Sequence, residues 1–228
     1  MRASVAALLV AAAQLGAQPQ AAKQSAPIDL TGYWVALVTE DWRFRMVTPH
    51  KGDYQAVPMT QAARKLADAW DPAADEAAGN QCKAYGAAAI MRLAARFHIT
   101  WRDDNTLRVE SDAGMQTRLF HFGSGAPAAG ERAWQGYSRA EWERQGSLKV
   151  ITTNLRAGYL RKNGVPYSEN AVVTEYFDLA PAPDGGQVML VTTVVDDPQY
   201  LSQPFIVSSQ FKKEAGGSKW DPTPCSAR

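Results

Sequence analysis

The distribution of apolar and polar positions changes character along the chain. After Met1-Arg2, residues Ala3 to Ala13 are apolar apart from Ser4, and the run ends at the polar Gln14. One basic residue, a short apolar stretch and small residues at Gly16 and Ala17 make the pattern of a cleavable secretory leader. The stretch is too short to cross a hydrocarbon core of ~30 Å, which takes about 20 residues. Residues 1 to about 22 are therefore expected to be a signal peptide cut after Ala17 or after Ala22. Residues 23–228 are expected to form one β-barrel domain, periplasmic or secreted, without membrane insertion.

Beyond the leader the dominant period is two. Leu30 to Thr39 is rich in β-branched and aromatic residues, and Arg96-Phe97-His98-Ile99-Thr100-Trp101 and Leu107-Arg108-Val109-Glu110 alternate cleanly, as half-buried strands do. Further strands are predicted at Thr117 to Phe122, Leu148 to Asn154, Gly158 to Arg161, Ala171 to Leu179, Gln187 to Val195 and Pro204 to Lys212. Turns fall at Asp103-Asp104-Asn105, Lys162-Asn163-Gly164 and Pro183-Asp184-Gly185-Gly186. A Gly- and Ala-rich segment from Gly123 to about Gly146 reads as a long loop. One stretch keeps a helical period: Thr60 is a candidate N-cap, and Ala63, Leu66, Ala67 and Trp70 fall at i, i+3, i+4 and i+7, up to Asp71-Pro72. The fold expected is all-β: an antiparallel up-and-down barrel of about eight or nine strands, closed so that no edge is exposed, with one inserted amphipathic helix.

Two short motifs carry a family resemblance. Gly32-Tyr33-Trp34 in the first strand resembles the G-x-W signature of lipocalins, and Ala171-Val172-Val173-Thr174-Glu175-Tyr176 is similar to the later apolar run that ends T-D-Y in that family. The resemblance implies an eight-stranded barrel in which the Trp packs at the closed end under an Arg from the last strand. Here that strand ends Phe211-Lys212-Lys213, and Glu175 stands in place of the Asp.

Composition adds limits. The formal charge is +1 with acids and bases interspersed, so neither nucleic acid nor an anionic membrane surface is an indicated partner. Aromatic residues make up 10% of the chain, with seven Trp, enough to fill a wide core or to line a cavity for a small apolar or aromatic molecule. Cys82 and Cys225 belong to no C-x-x-C pair; in an oxidising compartment they are expected to form a disulfide.

No motif commits to a chemistry. His50, His98 and His121 have no metal-ligand spacing, so no metal and no cofactor is expected. Asp103-Asp104 and Asp196-Asp197 sit beside turn residues, where Asp usually caps the turn. The G-x-S-x-G elbow is absent, and Gly123-Ser124-Gly125 reads as a loop tip. Phe97, Ile99 and Trp101 share one strand face and should line the interior. His98, His121, Glu175 and Tyr176 are the polar candidates for a ligand site or, on an alternative reading, for a cofactor-independent isomerase, cyclase or hydrolase. A structural or interaction module is the third possibility. The leading expectation is an exported binding protein with a small apolar or aromatic ligand in a barrel cavity.

Overall fold

The computed structural model describes residues 20–123, 125 and 131–228; most of the expected leader, and Ser124 of the loop tip, lie outside these residues. Eleven strands follow in chain order: β1 Gly32–Leu37, β2 Arg96–Asp103, β3 Thr106–Ser111, β4 Gln116–Phe122, β5 Tyr137–Trp142, β6 Leu148–Thr153, β7 Gly158–Arg161, β8 Val165–Tyr167, β9 Val172–Pro181, β10 Gln187–Asp196 and β11 Phe205–Glu214. Nine of them close into a barrel in the order β1-β11-β10-β9-β6-β5-β4-β3-β2. Pairing is antiparallel at every step but one: β4 and β5 run parallel, Phe120 opposite Ser138. A parallel neighbour needs a return crossing, and the segment expected to be a single loop supplies it, with β5 at its far side.

The hairpin β7–β8 is not part of the barrel. Its turn at Lys162-Asn163-Gly164 packs against Trp70; Gly164 has φ +83°, and a Cβ there would lie 2.3 Å from the Trp70 Cβ. Only glycine meets both demands.

The segment between β1 and β2 carries the helices α1 Trp42–Arg45, α2 Gln61–Asp68 and α3 Pro72–Ala77. The Thr60 hydroxyl accepts from Ala63 N–H at 3.3 Å and caps α2. Ala63 and Ala67 are buried, but Leu66 is largely exposed, because the helix lies flat on β8 and only its small residues reach the contact. Where the helical pattern was expected to stop, Asp71 caps α3 by accepting from Ala73 N–H at 2.9 Å, with Pro72 in the first turn, a position proline tolerates well.

Period-two alternation divides every barrel strand into an inner and an outer face. Trp34, Phe97, Ile99, Leu107, Val109, Phe120, Phe177, Val191 and Phe211 meet in one apolar cluster near the end where β1 starts. The Trp34 indole N–H donates to Leu30 O at 2.9 Å, and Lys213, opposite Trp34 in register, sets its Nζ 5.2 Å from the centre of the ring. A lysine thus covers the indole where the resemblance implies an arginine. Ala22 belongs to the same end: it is buried, its N–H donates to Asn105 Oδ1 at 2.9 Å, and its carbonyl accepts from the Trp142 indole at 2.9 Å. At the opposite end a second cluster, including Leu155, Leu160, Tyr167, Val173, Val195 and Phe205, joins the barrel to α2 and the β7–β8 hairpin. Cys82 and Cys225 form a disulfide, 5.1 Å between Cα atoms.

Candidate functional site

Between the two clusters lies a polar layer. Arg118 on β4 and Glu175 on β9 are fully buried and face each other as a fork: Nη1 donates to Oε1 at 3.0 Å and Nη2 to Oε2 at 2.5 Å. Arg118 Nη2 also donates to Thr152 Oγ1 at 3.3 Å, which in turn shares a hydrogen bond with Ser138 Oγ at 2.8 Å. Bidentate pairing of this kind satisfies both charges. The carboxylate of Glu175 is therefore spent inside the protein. Sequence reasoning found Glu175 but not its partner, since Arg118 shares no local pattern with it.

The remaining sequence-expected site residues do not converge. Phe97 and Ile99 are wholly buried, and Phe97 packs edge to face on Phe211 with ring centres 5.3 Å apart; they are core. Trp101, half-buried, stacks obliquely on Phe122, and Phe122 on Trp142, near the end closed by Ala22. His98 lies on the outer wall, stacked on Tyr33 at 4.1 Å with Nδ1 3.5 Å from Glu110. His121 is also outside, stacked on Tyr137 at 5.0 Å, because Phe120 takes the inward position. Burial, with Arg102 nearby, holds His121 below the usual histidine range. Tyr176 follows the inward Glu175 and so faces outward, opposite Lys149 and Thr192 in register. Asp103 and Asp197 cap turns, accepting from Asn105 N–H at 2.9 Å and Gln199 N–H at 3.2 Å, and Asp197 also holds the distant Ser168, whose N–H and Oγ donate to it at 2.6 and 2.7 Å.

The concave feature with the most unusual chemistry is at the opposite end, under the inserted helices. A pocket of about 350 Å³ is bounded by Phe44, Met46, Leu93 and Leu160 and by the cations Arg45, Arg92, Arg161 and Lys162. Three separate pieces of backbone deliver them. Asp41, in the left-handed region at φ 52°, turns the chain into α1 so that Arg45 points inward. Arg92 ends a 3₁₀ turn just before β2. Arg161 follows a register irregularity in the β7–β8 pair, which lets Leu160 and Arg161 both be buried despite being neighbours.

These three guanidinium groups are buried yet incompletely paired. Arg45 Nη1 donates to Glu40 at 2.9 Å and Nε to Arg92 O at 2.8 Å; Arg92 Nη2 donates to Asp41 at 3.1 Å; Arg161 Nη1 donates only to Gln55 O at 2.7 Å. Arg45 Nη2, Arg92 Nη1 and both Nε and Nη2 of Arg161 are buried without an acceptor among the described residues. Burial, with Arg161 beside it, pushes Arg92 down to about 10, and burial lowers Arg161 and Arg45 as well. The Arg161 guanidinium lies 4.1 Å over the Phe44 ring, an attraction weaker than an ion pair. Nothing in the local sequence around Arg45 links it to Arg92 or Arg161.

A second cleft, between Trp70, Tyr159 and Tyr200, holds a closed triad: Lys83 Nζ is 2.5 Å from Asp75 Oδ1 and the Tyr159 hydroxyl donates to Asp75 Oδ2 at 2.7 Å. The three groups satisfy one another, and burial with the Asp75 bond raises the Tyr159 phenol well above its ordinary range. Among the described residues no three His, Cys, Asp or Glu side chains are grouped as a metal would require, and no helix is long and apolar enough to cross a membrane. Comparison with known proteins found no matching family model, no matching curated protein and no matching solved structure.

Proposed function

We propose that the chain is an exported binding protein that holds a small molecule with an apolar or aromatic body in the pocket between Phe44, Leu93 and Leu160. The observation that carries this reading is the pocket itself, about 350 Å³ and lined by apolar side chains and basic groups alike, a volume in the range of small-molecule sites. The ligand sits beneath the covered end of the barrel, since the interior between the two clusters is occupied by side chains packed on one another. The residues of the enzyme alternative lie apart, His98 and His121 outside and Glu175 inside paired to Arg118.

The disulfide supports an oxidising destination. Contacts of Ala22 with Asn105 and Trp142 favour leader cleavage after Ala17, because cleavage after Ala22 would remove a buried residue from the wall. The binding test is fluorescence titration of the exported protein with Nile red, a neutral apolar probe. Micromolar binding that weakens in Phe44→Ala, with the circular dichroism unchanged, is the expected result. No binding, or binding indifferent to Phe44→Ala, overturns the reading.

A further inference from the structure

We propose that the pocket is an oxyanion site: its ligand is an organic acid whose carboxylate or phosphate is held by Arg45, Arg92 and Arg161, with the apolar body directed past Phe44 toward Met46 and Val47. The inference rests on the binding reading above and specifies the class of ligand.

Four nitrogens on three buried guanidinium groups have no acceptor among the described residues. A buried donor left unpaired costs free energy, and more when it belongs to a charged group. Direct charge pairing is also uneven at the pocket. Arg45 and Arg92 have carboxylate partners in Glu40 and Asp41, whose side chains are 41% and 38% exposed and so partly screened by solvent. Arg161, 3% exposed, is in no direct ion pair among the described residues and feels Asp41 and Asp53 only at longer range, while Lys162 at the lining donates to Arg228 O at 3.2 Å. Planar guanidinium forks match the two or three oxygens of a carboxylate or phosphate and can bind them bidentately. One oxyanion, met by these side chains as they turn toward the pocket, would supply acceptors to the orphaned donors and a direct counter-charge to Arg161 together.

The rim explains the other half of the ligand. Met46 and Val47, which bound the pocket, are 58% and 63% exposed, and Trp42, on the same six-residue segment though outside the lining, is 66% exposed. Apolar surface concentrated in this way marks a contact site. A cationic floor under an apolar rim fits an acid with a greasy or aromatic body better than a free inorganic ion.

Calorimetric titration with benzoate, benzamide and inorganic phosphate tests this. Benzoate and benzamide share one shape and differ in charge. Benzoate should bind about tenfold or more tightly than benzamide, a step of about 1.4 kcal/mol. Arg161→Met should erase the difference, and Arg45→Met provides the same comparison should Arg161→Met fail to fold. Competition by millimolar phosphate assigns the site to phosphate as well as carboxylate heads, whereas none restricts it to carboxylates; either result is compatible only with an anion site if benzoate prefers the wild type. Equal affinity for benzoate and benzamide, or a preference that survives Arg161→Met and Arg45→Met, overturns the oxyanion site. If Nile red still binds in that case, only this inference falls; if Nile red also fails, the pocket reading falls with it.

Discussion

The barrel interior and the pocket under its covered end both bury arginine, and they treat it in opposite ways. Arg118 meets Glu175 through two parallel hydrogen bonds and a third to Thr152, leaving only Nε without an acceptor. Arg161 is almost as buried, yet it has one backbone carbonyl for a partner and two orphaned donors. Burial alone therefore does not tell a structural charge from a binding one. What separates them is whether the chain itself completes the hydrogen bonds. A completed pair has nothing left to offer a ligand, whereas an incomplete one is costly until something fills it.

The largest expected effect breaks the completed side. Glu175→Leu leaves Arg118 charged, buried and unpaired, and should cost about 3–5 kcal/mol in urea unfolding. Adding Arg118→Met should restore most of that loss, since an apolar pair of similar volume is often neutral or better. A single variant as stable as the parent would remove the contrast with Arg161.

Next comes the disulfide. It closes 143 residues of chain and fastens the tail beside the pocket, where Ser226 N–H donates to the Tyr85 hydroxyl at 3.3 Å and Lys162 Nζ to Arg228 O at 3.2 Å. Cys82→Ala with Cys225→Ala should cost about 2–5 kcal/mol. Hydrogen exchange should rise first around Tyr85 and the tail and later in the barrel strands, which would show that the two regions are held independently. Uniform loosening would show that they are not.

Arg161→Met sharpens the comparison from the other side. It removes an unpaired buried cation, so stability should stay within about 1 kcal/mol of the parent or rise. A loss as large as that from Glu175→Leu would make Arg161 a structural residue like Arg118.

The smallest effect lies outside both regions. His121 is held below its ordinary 6.5 by burial and Arg102, so the unfolded chain takes up its proton first as pH falls. Its contribution is present above about 6.5 and is lost on acidification below that value. His121→Gln should flatten the slope of unfolding free energy between pH 6.5 and the depressed folded value. An unchanged slope would show that another group sets it.

The legible parts of the fold were those written in local periods. Alternation from Arg96 to Glu110 marked β2 and β3 because each strand is wet on one side, and Thr60 announced α2 because a cap acts within three residues. Strand β5 was hidden among Gly and Ala residues, and its parallel pairing with β4 depends on a crossing no local pattern encodes. β7 was found as a strand but not as a hairpin outside the barrel. Of the site, Glu175 was expected as a ligand group and lies buried against Arg118, and the seven residues expected to form one ligand site are distributed over core, outer wall and barrel end. Their spacing shows which face of a strand a residue occupies and cannot show which distant face lies opposite.

By itself the amino-acid sequence determined the all-β class, the alternation that builds a closed wall and the cysteines available to bridge, since these follow from propensity, period and residue chemistry. Tertiary structure alone decided that Arg118 reaches Glu175 across 57 residues and that Arg45, Arg92 and Arg161 gather around one pocket with donors to spare. An arginine looks the same in any local sequence. Whether it is paired depends on which acceptors long-range folding brings within about 3 Å.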